Sequence, residues 1–281
     1  MTRLRPQVRA ISPALILEDF IDDEEIGLLK SGKEADVYLV RRRAAARSCL
    51  LAAKRYVDPD ERAFKSNARY FAHERGDGFV RDGGDRRRAV AGRNTQKAID
   101  QRSRHGRAVI HDRWIDNEWN VLGTLWRAGV NVPYPVERLQ DGILMEYVGD
   151  EEQAAPRLAN ARVERAQLRG LFDQLRENLK GFARSGLVHA DLSPYNVLLW
   201  DELLWIIDVP QAVPYLENLD ATEFLHRDVT NMCTWFNRKG LACDAEDLFA
   251  TLLSEQFDYR MEDRFHAKGL GSTHVRSCPN W

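Results

Sequence analysis

From Ile26 onward the chain alternates apolar segments with a turn: IGLLKSGKEADVYLVRR is followed by CLLAAKRYV, a pattern that predicts an antiparallel hairpin and a third strand ending near Tyr56. The texture then changes. Between Asp60 and Arg113 the segment is polar and glycine-punctuated (GDG, DGGDRRR, AGRN), and the expectation for about 60–112 is a flexible loop. A helical period returns in DRWIDNEWNVLGTLWRAG, where Trp114, Glu118, Leu122 and Leu125 share one face and Gly129 supplies a C-terminal cap. Val132 to Pro135 begins an extended connection, and GILMEYVG reads as a short buried strand running into a linker, with Gly149 to Pro156 as the boundary between two lobes. Ala161 to Ser185 carries Leu168, Leu171, Leu175, Leu179 and Phe182 at spacings of three and four, closed by Gly186, and predicts the central helix of a mostly helical second lobe. Residues 1–25, ending in Asp22, Asp23, Glu24 and Glu25, read as a leader or short helix packed on the first lobe, and 256–281 as a tail.

Composition narrows the class. With 281 residues, 44% of them hydrophobic, the chain has enough apolar surface for one bilobal unit or two small domains. Lys and Arg (41) nearly balance Asp and Glu (43), so no global field marks a nucleic-acid or membrane binder. The segment from Asp60 to Arg113 is the local exception, with 14 basic against 8 acidic residues, and its Arg86–Arg88 run is either a solvated loop or a contact for RNA phosphates. Cys49, Cys233, Cys243 and Cys278 form no C-x-x-C pair, which argues against a zinc site or a disulfide framework. The apolar stretch Ile11 to Leu17 is broken by Ser12 and Pro13, and no run approaches the roughly 20 residues of a membrane span. The expectation is a cytoplasmic protein with no membrane partner.

The chemistry concentrates in LVHADLSPYNVLLW and LLWIIDVPQ. Asp191 and Asn196 stand five apart in a loop broken by Pro194, and Asp208 follows at the end of the strand LLWII. Phosphoryl transfer needs an acceptor for the nucleophile's proton and hard oxygen ligands for magnesium. In that reading Asp191 is the base, and Asn196 and Asp208 hold the metal; in the plainer one Asp191 caps a turn and Asp208 ends a strand. His189 reads as a structural histidine holding the loop. Lys54 lies in the apolar strand LLAAKRY, where an unpaired ammonium is costly, and Glu118 on the following helix can supply its partner. The alternative is a lysine that snorkels to solvent. SGKEADVY contains a glycine turn able to cradle phosphates, though it does not match the Walker pattern. Trp114, Trp119 and Trp126 recur with helical spacing beside leucines and read as packing rather than base-stacking residues.

The order KSGKEADVY, Lys54, Glu118, LMEYVG, HADLSPYN and IIDV resembles the RIO family of atypical serine/threonine protein kinases, in particular its first subfamily, whose loop reads S-T-G-K-E-A; the likeness runs from about Ile26 to about Gly240. It implies an α+β, bilobal, protein-kinase-like fold: an N-lobe (26–149) of antiparallel sheet plus helix and a mostly helical C-lobe (150–255) without extended activation and substrate-docking segments. It further implies that Ser31, Gly32, Lys33, Glu34 and Ala35 cover the triphosphate of ATP, with Lys54 and Glu118 beneath. Met145 would sit behind the adenine, the backbone of Glu146 and Val148 would bind its edge, and Asn196 and Asp208 would ligate magnesium or manganese. The family's metal-binding aspartate has been proposed to accept phosphate transiently, which would fall on Asp208.

The implied activity is Mg-ATP-dependent phosphorylation of serine or threonine, including the chain's own, or ATP hydrolysis, and RIO proteins act in small-ribosomal-subunit maturation. The chain departs from the pattern where Lys30 and Ser31 stand for the family's Ser and Thr, and Ala190 replaces the arginine of H-R-D kinases. Two other functions share parts of this signature. Small-molecule kinases of the aminoglycoside and choline type carry H-x-D-x-x-x-x-N, but the short stretch after Asp208 disfavours their helical acceptor pocket. A nucleotide-gated module on RNA or a ribosomal particle would rest on the basic loop alone.

Overall fold

In the computed structural model, described over residues 22–32, 34–44, 47–56 and 104–267, three ten-residue strands open the chain: β1 (Asp22–Ser31), β2 (Ala35–Ala44) and β3 (Arg47–Tyr56). They form the expected antiparallel hairpin and third strand, and with β4 (Pro135–Arg138) and β5 (Gly142–Glu146) they make a five-stranded sheet of order β1-β2-β3-β5-β4. Period-two alternation sorts β3 onto two faces. Leu51 and Ala53 pack with Val40 and Leu144 on the outer face, while Ala52 and Tyr56 join the main core on the inner one. Lys54, between Ala52 and Tyr56 in this alternation, therefore points inward.

Helix α1 (Arg104–Arg127) packs on that inner face, and Trp114, Leu122 and Leu125 are buried as their spacing predicts. Beyond the linker come α2 (Leu168–Arg184), β6 (Leu187–Val188), β7 (Val197–Trp200), β8 (Leu203–Ile206), β9 (Val213–Pro214), α3 (Ala221–Lys239) and α4 (Ala245–Ala267). The apolar stripe Leu168, Leu171, Leu175, Leu179 and Phe182 of α2 is buried throughout. Two small antiparallel ribbons, β6 with β9 and β7 with β8, pack on α2 through β6 and β8. Gly129 and Gly186, each just past a helix, adopt the left-handed backbone that an L side chain resists.

Several boundaries differ from the sequence reading, each for a physical reason. The acidic cluster assigned to the leader forms the first half of β1. Its partners are not apolar but charged: Asp22, Asp23 and Glu24 lie opposite Arg43, Arg42 and Arg41, and Asp23 holds the buried Arg42 guanidinium at 2.7 Å. Ion pairs across strands replace hydrophobic alternation there, so the segment carries no period-two apolar signal. Helix α1 begins at Arg104, inside the span read as loop, because Arg and His are tolerated in a helix without an apolar stripe. Helix α2 starts at Leu168 rather than Ala161, and α4 continues past Glu255 to Ala267. Residues 57–103, with the Arg86–Arg88 run, lie outside the described residues, as do Lys33 and the tail from Lys268.

Candidate active site

Lys54 reaches the inner face of β3 and meets two carboxylates: Nζ lies 2.7 Å from Glu118 Oε1 and 2.8 Å from Asp208 Oδ1. Glu118 is 1% exposed, so its charge has no solvent to fall back on. Its second oxygen accepts a hydrogen bond from the Tyr56 hydroxyl, and Lys54 also sits 5.1 Å above the Tyr56 ring. Burial works against the Lys54 charge, but Asp208 and Glu118 outweigh it and hold the ammonium well above its ordinary pKa. Lys54 in turn holds the Asp208 carboxyl below the usual carboxylate range. The sequence foresaw the Glu118 partner; the second, Asp208, comes from the other half of the molecule.

Asp191 and Asn196 lie in the loop between β6 and β7. The Asn196 amide nitrogen donates to the Asp191 main-chain oxygen at 2.8 Å and to its carboxylate at 3.1 Å, which leaves the amide oxygen without a partner among the described residues. Ile207 N–H donates to the Asn196 carbonyl at 3.0 Å, and Val197 pairs with Ile206, so Asn196 and Asp208 emerge side by side from the β7–β8 ribbon. Desolvation in the cleft and then the nearby Asp208 raise the pKa of Asp191. Glu34, from the β1–β2 turn, is raised in the same way, by burial first and Asp208 second.

The loop is held from behind by groups that sequence reasoning partly missed. His189 was read as structural and is: Nε2 donates to the Ile207 carbonyl at 3.1 Å, while Nδ1 accepts the Asp191 N–H at 3.3 Å. These partners fix the neutral tautomer, and full burial lowers its pKa to about 4. Asp228 on α3, not singled out from the sequence, accepts the N–H groups of Ala190 at 2.8 Å and Leu192 at 2.9 Å. Arg227 donates to the Ala190 carbonyl, and burial raises Asp228 to about 7. Ala190 and Asp208 both have left-handed backbones, φ 66° and 65°, a conformation that persists only where neighbours over-determine it. A polar residue on the buried face of a helix, in LHRDVTNM, was the available signal for Asp228.

The remaining sequence candidates lie around the opening. Ser31 ends β1, and a Cβ on Gly32 would stand 2.8 Å from the Ala35 carbonyl, so the turn into β2 admits only glycine there. Met145 and Glu146 end β5, opposite Ala52 and Leu51 of β3. The Glu146 N–H is already committed to the Tyr134 carbonyl and the Val148 carbonyl to Ala155 N–H, whereas Val148 N–H has no partner among the described residues. Of the backbone groups expected to meet the adenine edge, Val148 N–H is therefore the donor on offer. Trp114 is buried and meets Tyr56 edge-on, the packing role its spacing predicted. Among the described residues no group of three or more His, Cys, Asp and Glu side chains is gathered as a metal site, and no helix is long and apolar enough to cross a membrane.

A five-stranded sheet whose third strand offers a lysine to a helix glutamate, above a loop carrying Asp191, Asn196 and Asp208, is the plan of a bilobal, protein-kinase-like fold. The chain belongs to the RIO family, as residues 85–248 match the family's RIO domain. It is 35% identical over 152 residues to the RIO-type serine/threonine-protein kinase Rio1 of Haloferax volcanii, an alignment covering 54% of this chain and 51% of that one. The chain thus spans about half the length of that relative. Proteins of the same name from Thermoplasma acidophilum (30% identity, 48% of this chain and 69% of that one) and Methanocaldococcus jannaschii (29%, 84% and 70%) are also similar.

Proposed function

We propose that this protein is a Mg-ATP-dependent atypical serine/threonine kinase of RIO type, transferring the γ-phosphate to a protein hydroxyl, its own included, or to water. The observation that carries the reading is the junction at Lys54, which ties Glu118 of the sheet-bearing half to Asp208 of the helical half. ATP would lie between lobes spanning about 26–149 and 150–255, under Ser31, Gly32, Lys33, Glu34 and Ala35, with Lys54 on its phosphates. Met145 would back the adenine.

The donor set fits magnesium. Asp208 is kept ionised by Lys54, and the Asn196 amide oxygen is turned free by the nitrogen's bonds to Asp191, so both would present hard oxygens. Bound there, the metal would neutralise charge on the phosphates. Asp191 would accept the proton of the incoming hydroxyl, and its raised pKa makes it a better acceptor than an ordinary aspartate. Protein or self phosphorylation belongs to the same proposal, supported by the serine/threonine-protein kinase named in the relatives, as do a cytoplasmic setting and a ribosomal or RNA partner, the latter supported by the composition of the basic stretch alone.

Incubation with γ-labelled ATP and magnesium, followed by separation of protein, free phosphate and small molecules, tests it. Label is expected on protein or as free phosphate; label confined to intact ATP contradicts the proposal.

A further inference from the structure

The inner face of the sheet carries a second lysine. Lys30 lies opposite Val37, and Val37 lies opposite Lys54, so the three residues form one line across β1, β2 and β3. Residues directly opposite in an antiparallel sheet share a face, and Val37 packs against the main core on the inner side. Lys30 thus belongs to the same face as Lys54, two strand spacings or about 10 Å away. Below, residues 156–158 run beside β7: Arg157 bridges to Leu198, and Leu158 N–H donates to the Val197 carbonyl at 2.8 Å. Arg157 therefore stands two residues along the ribbon from Asn196.

These two cations differ from their neighbours in having nothing to hold. Arg41, Arg42, Arg43, Lys54 and Arg55 all have carboxylate partners, whereas among the described residues neither Lys30 nor Arg157 makes an ion pair or side-chain hydrogen bond. Lys30 is exposed at the end of β1 and Arg157 is half-buried. Burial first, and then Arg157, lower the pKa of Lys30, while Asp208 works the other way. Two cations without a carboxylate partner, one on β1 in line with Lys54 and one beside β7, leave their charge available to an anion bound near Lys54 and Asn196.

We infer that Lys30 and Arg157 form a two-sided cationic clamp on the phosphate chain of the bound nucleotide, supplementing Lys54. This rests on the nucleotide-binding reading above and deepens it, because it assigns phosphate recognition to residues outside the Lys54, Asn196 and Asp208 set. Lys30 enters from the roof strand just before the Ser31–Gly32 turn, and Arg157 from the floor beside β7. The clamp reads charge, not base. It also gives a chemical consequence to a departure visible in the sequence, where Lys30 stands in place of the family's Ser.

The test is calorimetric titration of the full chain with adenosine, AMP, ADP and ATP at fixed magnesium, for wild type, Lys30→Gln, Arg157→Gln, the double variant and Lys30→Arg. Adenosine affinity should be the same in all five. ATP affinity should fall about tenfold in each single variant and further in the double, and Lys30→Arg should retain most of it. The double variant should also lose part of the salt dependence of ATP binding. If wild type binds ATP and the Gln variants bind it equally well, or lose adenosine and ATP alike, the clamp is wrong and the cleft reading stands. If wild type binds no nucleotide at all, both fall together.

Discussion

Tyr56 and Lys54 take one oxygen each of the Glu118 carboxylate, so that a buried charge on α1 is met in full by two residues of the same face of β3. Tyr56→Phe removes one partner and leaves Glu118 Oε2 buried without a donor, which costs about 1–3 kcal/mol. Urea unfolding should show that loss. The larger effect is expected in turnover, because Glu118 then rotates more freely and releases Lys54 toward Asp208 alone. Unchanged stability and turnover would mean that the Tyr56 contact contributes nothing to the site.

Asp191→Ala removes the carboxylate proposed to accept the proton while leaving Lys54, Glu118 and Asp208 in place. Turnover should fall by a factor of about 100 to 10,000, the range that general-base catalysis supplies. ATP affinity should stay within a few-fold of wild type. A parallel loss of binding and turnover would assign Asp191 to ligand binding instead.

Asp228→Asn tests whether the loop depends on its anchor. The carboxylate accepts two backbone N–H groups, from Ala190 and Leu192, and an amide can accept only one of them without directing its own N–H at the other. Relaxation of the left-handed Ala190 should displace Asp191, lowering kcat while KM for ATP changes little. Equal kcat in the variant would show that the loop holds its shape unaided.

His189 makes stability depend on pH. Its folded pKa, about 4, lies below the usual 6.5, so between these values the unfolded chain binds the extra proton and acid favours unfolding. The contribution is complete above about pH 6.5 and is lost as pH falls through that window to about 4, an interval worth roughly 3 kcal/mol. Urea unfolding of wild type and His189→Gln at pH 7.5, 5.5 and 4.5 should show an advantage for wild type that shrinks with acid. A difference constant with pH would contradict the buried neutral histidine.

The sequence carried the site better than the edges of the fold. The contacts of Lys54 with Glu118 and Asp208 and of Asn196 with Asp191 join residues that the sequence had grouped, because the pattern expected for phosphoryl transfer ties residue type to spacing and a lysine in an apolar strand demands a partner. The stripe on α2 was legible because 3.6-residue periodicity needs no tertiary information. What stayed hidden depends on neighbours distant in the chain. The strand character of Asp22–Glu25 is visible only once Arg41–Arg43 lie opposite, and Tyr56 reads as an ordinary strand aromatic until Glu118 stands above it. Asp228 likewise acquires meaning only when α3 packs behind the loop of Ala190 and Leu192, and Lys30 only when the register of β1, β2 and β3 lines it up with Lys54.

The central claim is that the two halves converge on one metal-bound triphosphate, and ATP binding with and without magnesium in wild type and Asp208→Ala tests it most directly. Wild type should bind ATP more tightly when magnesium is present, by about tenfold or more. In Asp208→Ala that dependence should vanish, with adenosine affinity preserved. Tight binding of Mg-ATP that is indifferent to the loss of Asp208 would contradict the account.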